Sequence, residues 1–157
     1  MKYIIYMLVL ISIAGCRFRS ENKPALNREA SLTQLGDLPE NPFLLYAITS
    51  AIYPKDSITT VLYGNASAYA YAAMNTDGHY PAGAVLYEVT WKQQPDRQWF
   101  GANIPQTIQK TERVEVISTN KTRYTCFQGK IPRKVERSTD EAERTTFILG
   151  QKIAVSP

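Results

Sequence analysis

Histidine and cysteine are nearly absent from this chain: one histidine, His79, and two cysteines, Cys16 and Cys126. A dedicated zinc site takes three or four cysteine, histidine or carboxylate ligands, so this inventory argues against one. A serine–histidine–acid triad has a single imidazole to draw on, and no nucleophile-elbow pattern surrounds any serine. Glycine-rich phosphate cradles are missing too; Gly78, Gly83 and Gly101 stand alone and read as turns. Charge of one sign is scarce. The formal net charge is +4, and the basic residues are scattered, which argues against nucleic acid as a partner. Long apolar runs are limited to residues 3–13, short of the ~20 residues a membrane-crossing helix needs. No internal repeat is visible.

That one apolar run carries the clearest signal. Met1-Lys2 gives a short cationic start, residues 3–13 an apolar core, and Ala14-Gly15 two small residues before Cys16. This is the order of a secretory signal. Ile13-Ala14-Gly15-Cys16 further resembles a bacterial lipobox, in which the cysteine sulfur takes a diacylglycerol and becomes the first residue of the mature chain. The reading is a signal peptide at 1–15 and a lipidated N-terminus at Cys16, with the membrane as partner through the acyl chains. Arg17 stands where an aspartate tends to retain lipoproteins at an inner membrane. In a cell with two membranes, the expected place is the outer one, facing the periplasm. With Cys16 acylated, only Cys126 is left, so no internal disulfide forms and stability rests on packing.

Residues 16–42 read as a lipidated tether. They are polar, carry Pro24, Pro39 and Pro42, and show no sustained period beyond a short helix at 25–35. The domain is expected over 43–157. Residues 43–53 and 58–63, separated by Pro54-Lys55-Asp56-Ser57, read as a hairpin. Asn65 caps an alanine-rich helix over 66–74. Pro81-Ala82-Gly83 turns into a strand over 84–91, followed by a loop at 92–98. Further strands are expected at 113–117, 123–128 and 146–155, with a charged loop at 129–143 that has some helix near its end. Strands without a βαβ rhythm predict an α+β fold, an antiparallel sheet with one or two short helices.

Within that frame the chemistry-bearing residues are few. Tyr87, Trp91, Trp99 and Phe100, with Tyr80, form an aromatic group that lines an apolar pocket or fills the core of the sheet. His79 lies in a turn and reads as exposed. Cys126 reads as a buried, inert thiol. Glu112 with Glu115, and Asp140 with Glu141 and Glu143, read as solvated faces. Glu88 interrupts the best strand. On a covered face it needs a partner such as an arginine; on an open face it is ordinary alternation, and the alternation favours the open face.

The order Leu62-Tyr63-Gly64-Asn65, Tyr80-Pro81-Ala82-Gly83-Ala84-Val85-Leu86, Val89-Thr90-Trp91-Lys92-Gln93-Gln94, Asp96, Trp99-Phe100-Gly101 and Ile104-Pro105 resembles the cytochrome P-460 family, in particular a small lipoprotein branch of it. The likeness runs from about Pro42 to the C-terminus. It implies an antiparallel sheet with helices around a c-type haem, and redox or gas chemistry on small nitrogen compounds. The family attaches haem through Cys-x-x-Cys-His. Here the nearest stretch is Cys126-Phe127-Gln128-Gly129-Lys130, without the second cysteine or the histidine. The family's cross-linking lysine is also missing, since the strand offers Tyr87 and Glu88 and no lysine before Lys92. The expectation is therefore a non-enzymatic, lipid-anchored domain with no cofactor, holding a small apolar ligand where relatives hold haem. Two alternatives stand beside it: a non-covalently held haem with His79 as its only available imidazole, and a structural domain that docks a protein partner in the envelope.

Overall fold

A computed structural model of the chain describes residues 27–74, 77–136 and 140–154. The apolar run, Cys16 and the start of the expected tether lie outside the described residues. Six antiparallel strands form one sheet: β1 (Tyr46–Tyr53), β2 (Ile58–Gly64), β3 (Val85–Pro95), β4 (Asn103–Ser118), β5 (Lys121–Gln128) and β6 (Arg133–Val135). Their order in the sheet is their order in the chain. Two helices accompany them, α1 (Ala66–Met74) between β2 and β3, and α2 (Glu141–Leu149) after β6. The class is α+β, as the alternation of strands and short helices predicts.

Local chemistry accounts for the first half. The turn at Pro54 to Ser57 closes the β1–β2 hairpin. Asn65 caps α1: its Oδ1 accepts from the Ala68 amide at 3.0 Å, and its Nδ2 donates to the Gly83 carbonyl at 2.8 Å. One side chain thus ties the start of α1 to the turn that launches β3. Ala68 and Ala72 let α1 lie close on the sheet, against Leu62, Leu86 and Val114.

Four expectations are corrected. Of the strand expected at 146–155, the described residues 146–154 form none; residues 146–149 belong to α2, and Val155 lies outside the described residues. The β-branched content there suggested extended chain, but Arg144, Ile148 and Gln151 fall at helical spacing and face the sheet. Thr146 returns its hydroxyl to the Ala142 carbonyl at 2.9 Å, which satisfies it within a helix. Glu141 and Glu143 complement the positive end of the helix. The loop expected at 92–98 is strand as far as Pro95, and the strand expected at 113–117 is the end of the much longer β4.

The fourth correction concerns the tether. Its described part, 27–42, packs on the sheet face opposite the helices, and no helix forms at 27–35. Leu38 is buried with Tyr87 and Phe127, while Ala30, Leu32 and Phe43 pack around Val89, Trp91 and Ile108. The Trp91 indole donates to the Ala30 carbonyl at 2.9 Å, and the Phe43 ring stacks on the Trp91 ring with centroids 5.7 Å apart. Gly36 has φ +58, and a Cβ there would meet the Pro132 carbonyl oxygen at 2.1 Å. Asp37 next to it is held by Arg133 at 3.0 Å and by the Lys134 amide at 2.9 Å. A few well-placed apolar side chains anchor the segment despite its polar average. The sheet is therefore covered on both faces, and β3 is buried continuously from Leu86 to Trp91.

A charged cleft beneath the second helix

Glu88 and Glu112 are direct cross-strand partners on β3 and β4. Both point to the helix-covered face and both are buried, at 1% and 0% exposure. Two carboxylates so placed repel, and each loses hydration. Arg144 of α2 resolves this. Its Nε and Nη2 each donate to Glu112, both at 2.8 Å, and Nη2 also donates to Glu88. Lys110 Nζ sits 2.9 Å from Glu112, and the Tyr124 hydroxyl donates to it at 2.5 Å. Gln151, one turn past Ile148, donates to Glu88 at 3.0 Å. Among the described residues no buried polar side-chain atom lacks a partner.

The two carboxyls titrate apart. Burial pushes both upward. At Glu88 burial prevails over the attraction of Arg144, and its pKa is raised. At Glu112 the hydrogen bonds from Arg144, Tyr124 and Lys110 outweigh burial, and its pKa is lowered. Arg144 is held firmly charged by Glu112. Glu112 is thus the fixed anion of the cluster, and Glu88 the group that takes up a proton more readily.

Beside this network lies an open cleft of about 500 Å³. Glu88, Thr60, Thr90 and Lys110 line it from the sheet, Tyr53 and Asp56 from the end of the β1–β2 hairpin, and Arg144 and Phe147 from α2. Phe147 stacks over the Arg144 guanidinium at 4.7 Å, which leaves an aromatic edge on the wall. The size falls within the usual range of ~300–1,000 Å³ for small-molecule sites. Both charge signs, three hydroxyls and two aromatic rings line one hollow, a mixture suited to a small ionised or zwitterionic organic molecule with an apolar part.

The aromatic group expected to line a pocket is split. Tyr87 and Trp91 are buried on the opposite face and filled over by residues 27–45. The Tyr87 hydroxyl accepts from Arg113 at 3.0 Å and donates to Glu40 at 3.2 Å, and burial raises its pKa. Trp99 and Phe100 stand at the exposed tip of the β3–β4 hairpin. Tyr80 belongs to the core beside α1. His79 is 80% exposed, with Nδ1 3.6 Å from Asp77, and borders a separate hollow of about 320 Å³ with Val116 and Leu149. Cys126 is buried on β5, and burial raises its thiol pKa.

Glu88 proves to be on a covered face with an arginine partner, the less favoured of its two readings. Glu112 is no solvated residue, because the sheet it sits in is covered on both sides. Glu115 does keep partial exposure, paired with Arg113 at 2.7 Å and Arg123 at 3.3 Å. Arg144, Lys110 and Gln151 escaped the sequence reading altogether. The signal was present in the helical spacing of Arg144, Ile148 and Gln151, once residues 146–149 are read as helix.

The residues do not suit a covalent haem. The Cys126 thiol is buried within a strand, Gly129 and Lys130 follow where a cysteine and histidine belong, and the one imidazole borders a different hollow from the charged cleft. Among the described residues no group of three or more histidine, cysteine, aspartate or glutamate side chains is placed to hold a metal ion. No protein-family model and no curated protein matches the chain.

Proposed function

We propose that this chain is an exported lipoprotein, anchored through Cys16, whose domain is a non-enzymatic binder of a small organic ligand. The binding site is the cleft beneath α2, not the aromatic pocket expected from Tyr87, Trp91, Trp99 and Phe100. One observation carries this reading: a buried carboxylate of raised pKa, Glu88, lies on the wall of an open cleft with Arg144 and Phe147 beside it. Buried charge is costly, and here it borders a space large enough for a ligand. An antiparallel sheet with two short helices also supports a cytochrome P-460-like fold that works without covalent haem. A shared fold hosts unrelated roles, so the ligand is sought from the cleft and not from the family.

The test is a binding screen on residues 17–157 with small ionised and zwitterionic aromatic compounds. Saturable stabilisation of the wild type is expected, and Gln109→Trp should abolish it. Gln109 lies on the exposed rim of the cleft, outside the ion network, so its replacement obstructs the space and leaves the fold intact. A ligand that binds both proteins equally would place the site elsewhere, and an empty screen would count against ligand binding.

A further inference from the structure

The β3–β4 hairpin ends in two adjacent, exposed aromatic side chains that no other described residue covers. Trp99 is 71% exposed and Phe100 108%. The tip that carries them is well tied. Asp96 accepts from the amides of Gln98 at 2.7 Å and Trp99 at 3.4 Å, and its own amide donates to the Ala102 carbonyl at 2.8 Å. Ala102 donates back to the Trp99 carbonyl at 3.0 Å. A turn held by its own hydrogen bonds keeps both rings presented outward, at a standing cost in hydration.

The position of the first described residues says what covers them. Asn27, the first described residue, donates its side-chain amide to the Pro105 carbonyl at 2.5 Å, and Pro105 pairs with Gln93 close to the tip of this same hairpin. Residues 28–30 continue along the hairpin beside Pro95 and Ile104. Only five positions separate Phe100 from Pro105, so the two lie within roughly 18 Å of each other. The chain from Cys16 to Asn27 spans at most ~40 Å when fully drawn out. An acyl group on Cys16 therefore keeps Asn27, and the hairpin beside it, within about 40 Å of the bilayer.

We propose that Trp99 and Phe100 form a second membrane contact, seated in the interfacial layer of the bilayer to which Cys16 anchors the chain. The proposal rests on the lipid-anchor reading above. Tryptophan and phenylalanine suit that layer, where an apolar ring meets lipid and the indole N–H keeps a polar partner. The contact area favours lipid over protein. Two rings bury ~400 Å² together, about half of the ~800 Å² per side that a stable protein interface needs. A lipid anchor makes the second contact intramolecular, so a weak one suffices. Charge does not drive it: Arg28 and Arg97 near the hairpin tip are offset by Glu29 and Asp96. The contact would fix which way the domain faces, leaving it held at two points.

The chain's two tryptophans provide the test. The full chain, expressed with its leader so that Cys16 is processed, is reconstituted into uncharged phosphatidylcholine vesicles with plain or brominated acyl chains. Trp91 is buried and serves as the internal reference. Brominated chains should blue-shift and quench part of the emission, and Trp99→Ser should remove that part while the protein still floats with the vesicles. The quenching should persist at high salt. Unquenched Trp99 in protein whose Cys16 is acylated and which floats with the vesicles overturns the second contact and leaves the anchor standing. Cys16 found unacylated by mass, in protein that does not float, overturns the anchor and the contact with it. A photo-cross-linker at position 99 that captures a protein in place of lipid also overturns it.

Discussion

Among the described residues, Arg144 is the one cation that bonds both Glu88 and Glu112, two carboxylates that face each other across β3 and β4. Helix α2 is held to the sheet by this ionic contact as well as by Ile148. A buried carboxylate pair without its guanidinium would carry uncompensated charge in a place water reaches poorly.

Arg144→Met should therefore destabilise the domain by about 3–5 kcal/mol, the usual cost of removing one partner from a buried ion pair. The triple variant Arg144→Met with Glu88→Gln and Glu112→Gln should recover a large part of that loss, since it removes the stranded charges along with the cation. Urea denaturation of the three proteins measures both changes. An Arg144→Met variant within about 1 kcal/mol of wild type, the level of an exposed pair, would mean the cluster is solvated.

The same cluster sets a pH dependence with two opposed arms. Glu88 has a raised pKa, so it binds its proton more tightly in the folded state; its contribution is fully present below the ordinary value of 4.5 and is lost as pH rises through its folded value. Glu112 has a lowered pKa; its contribution is present above 4.5 and is lost as pH falls through its folded value. Glu88→Gln should flatten the decline in stability above pH 4.5, and Glu112→Gln should flatten the decline below it. Thermal unfolding between pH 3 and 8 reads both. Equal effects of the two substitutions across that range would contradict the assignment.

Gly36 tests whether residues 27–45 belong to the fold. Gly36→Ala places a methyl group against the Pro132 carbonyl in a left-handed backbone that alanine resists. A loss of about 1–3 kcal/mol is expected. The Trp91 emission should also move to longer wavelength, because the strap that supplies Ala30 and Phe43 to that ring loosens. An unchanged Trp91 signal would mean that the strap holds on without the Gly36 turn.

Much of the fold was legible where the signal is local. Pro54 to Ser57, the Asn65 cap and Pro81-Ala82-Gly83 each specify a turn within a few residues, and β1, β2, α1 and the start of β3 follow. What failed depends on distant contacts. Thr145, Thr146 and Ile148 favour a strand taken alone, and the helix prevails because it delivers Arg144 and Ile148 to the sheet. Glu112 looks solvated within its charged run; its burial follows from a strap at 27–45 on one face and from α2 on the other. The strap itself was hidden by averaging, since Leu32, Leu38 and Phe43 are sparse in a polar stretch yet fall on a matching surface. Tyr87 and Trp91 share one face of β3, but nothing local told a pocket from a core.

The haem alternative leads to the last prediction. Haemin added to purified residues 17–157 should give no saturable Soret shift. Haem iron needs a protein ligand such as histidine, cysteine thiolate, methionine or tyrosine. His79 is largely in solvent beside Asp77, and the Cys126 thiol is buried with its pKa raised, which disfavours the thiolate. The charged cleft offers Glu88, Lys110 and Arg144, already bonded to one another or to Glu112, and its Tyr53 stands at the outer end of a hairpin. An apolar macrocycle in that cleft would bury these charges against hydrocarbon. Absorption spectra at increasing haemin decide the matter. A saturable shift abolished by His79→Ala would restore the haem reading and move the ligand site to the hollow at Tyr80 and Leu149. A saturable shift that His79→Ala leaves intact would put the iron on another side chain, with Tyr53→Phe the next substitution to make.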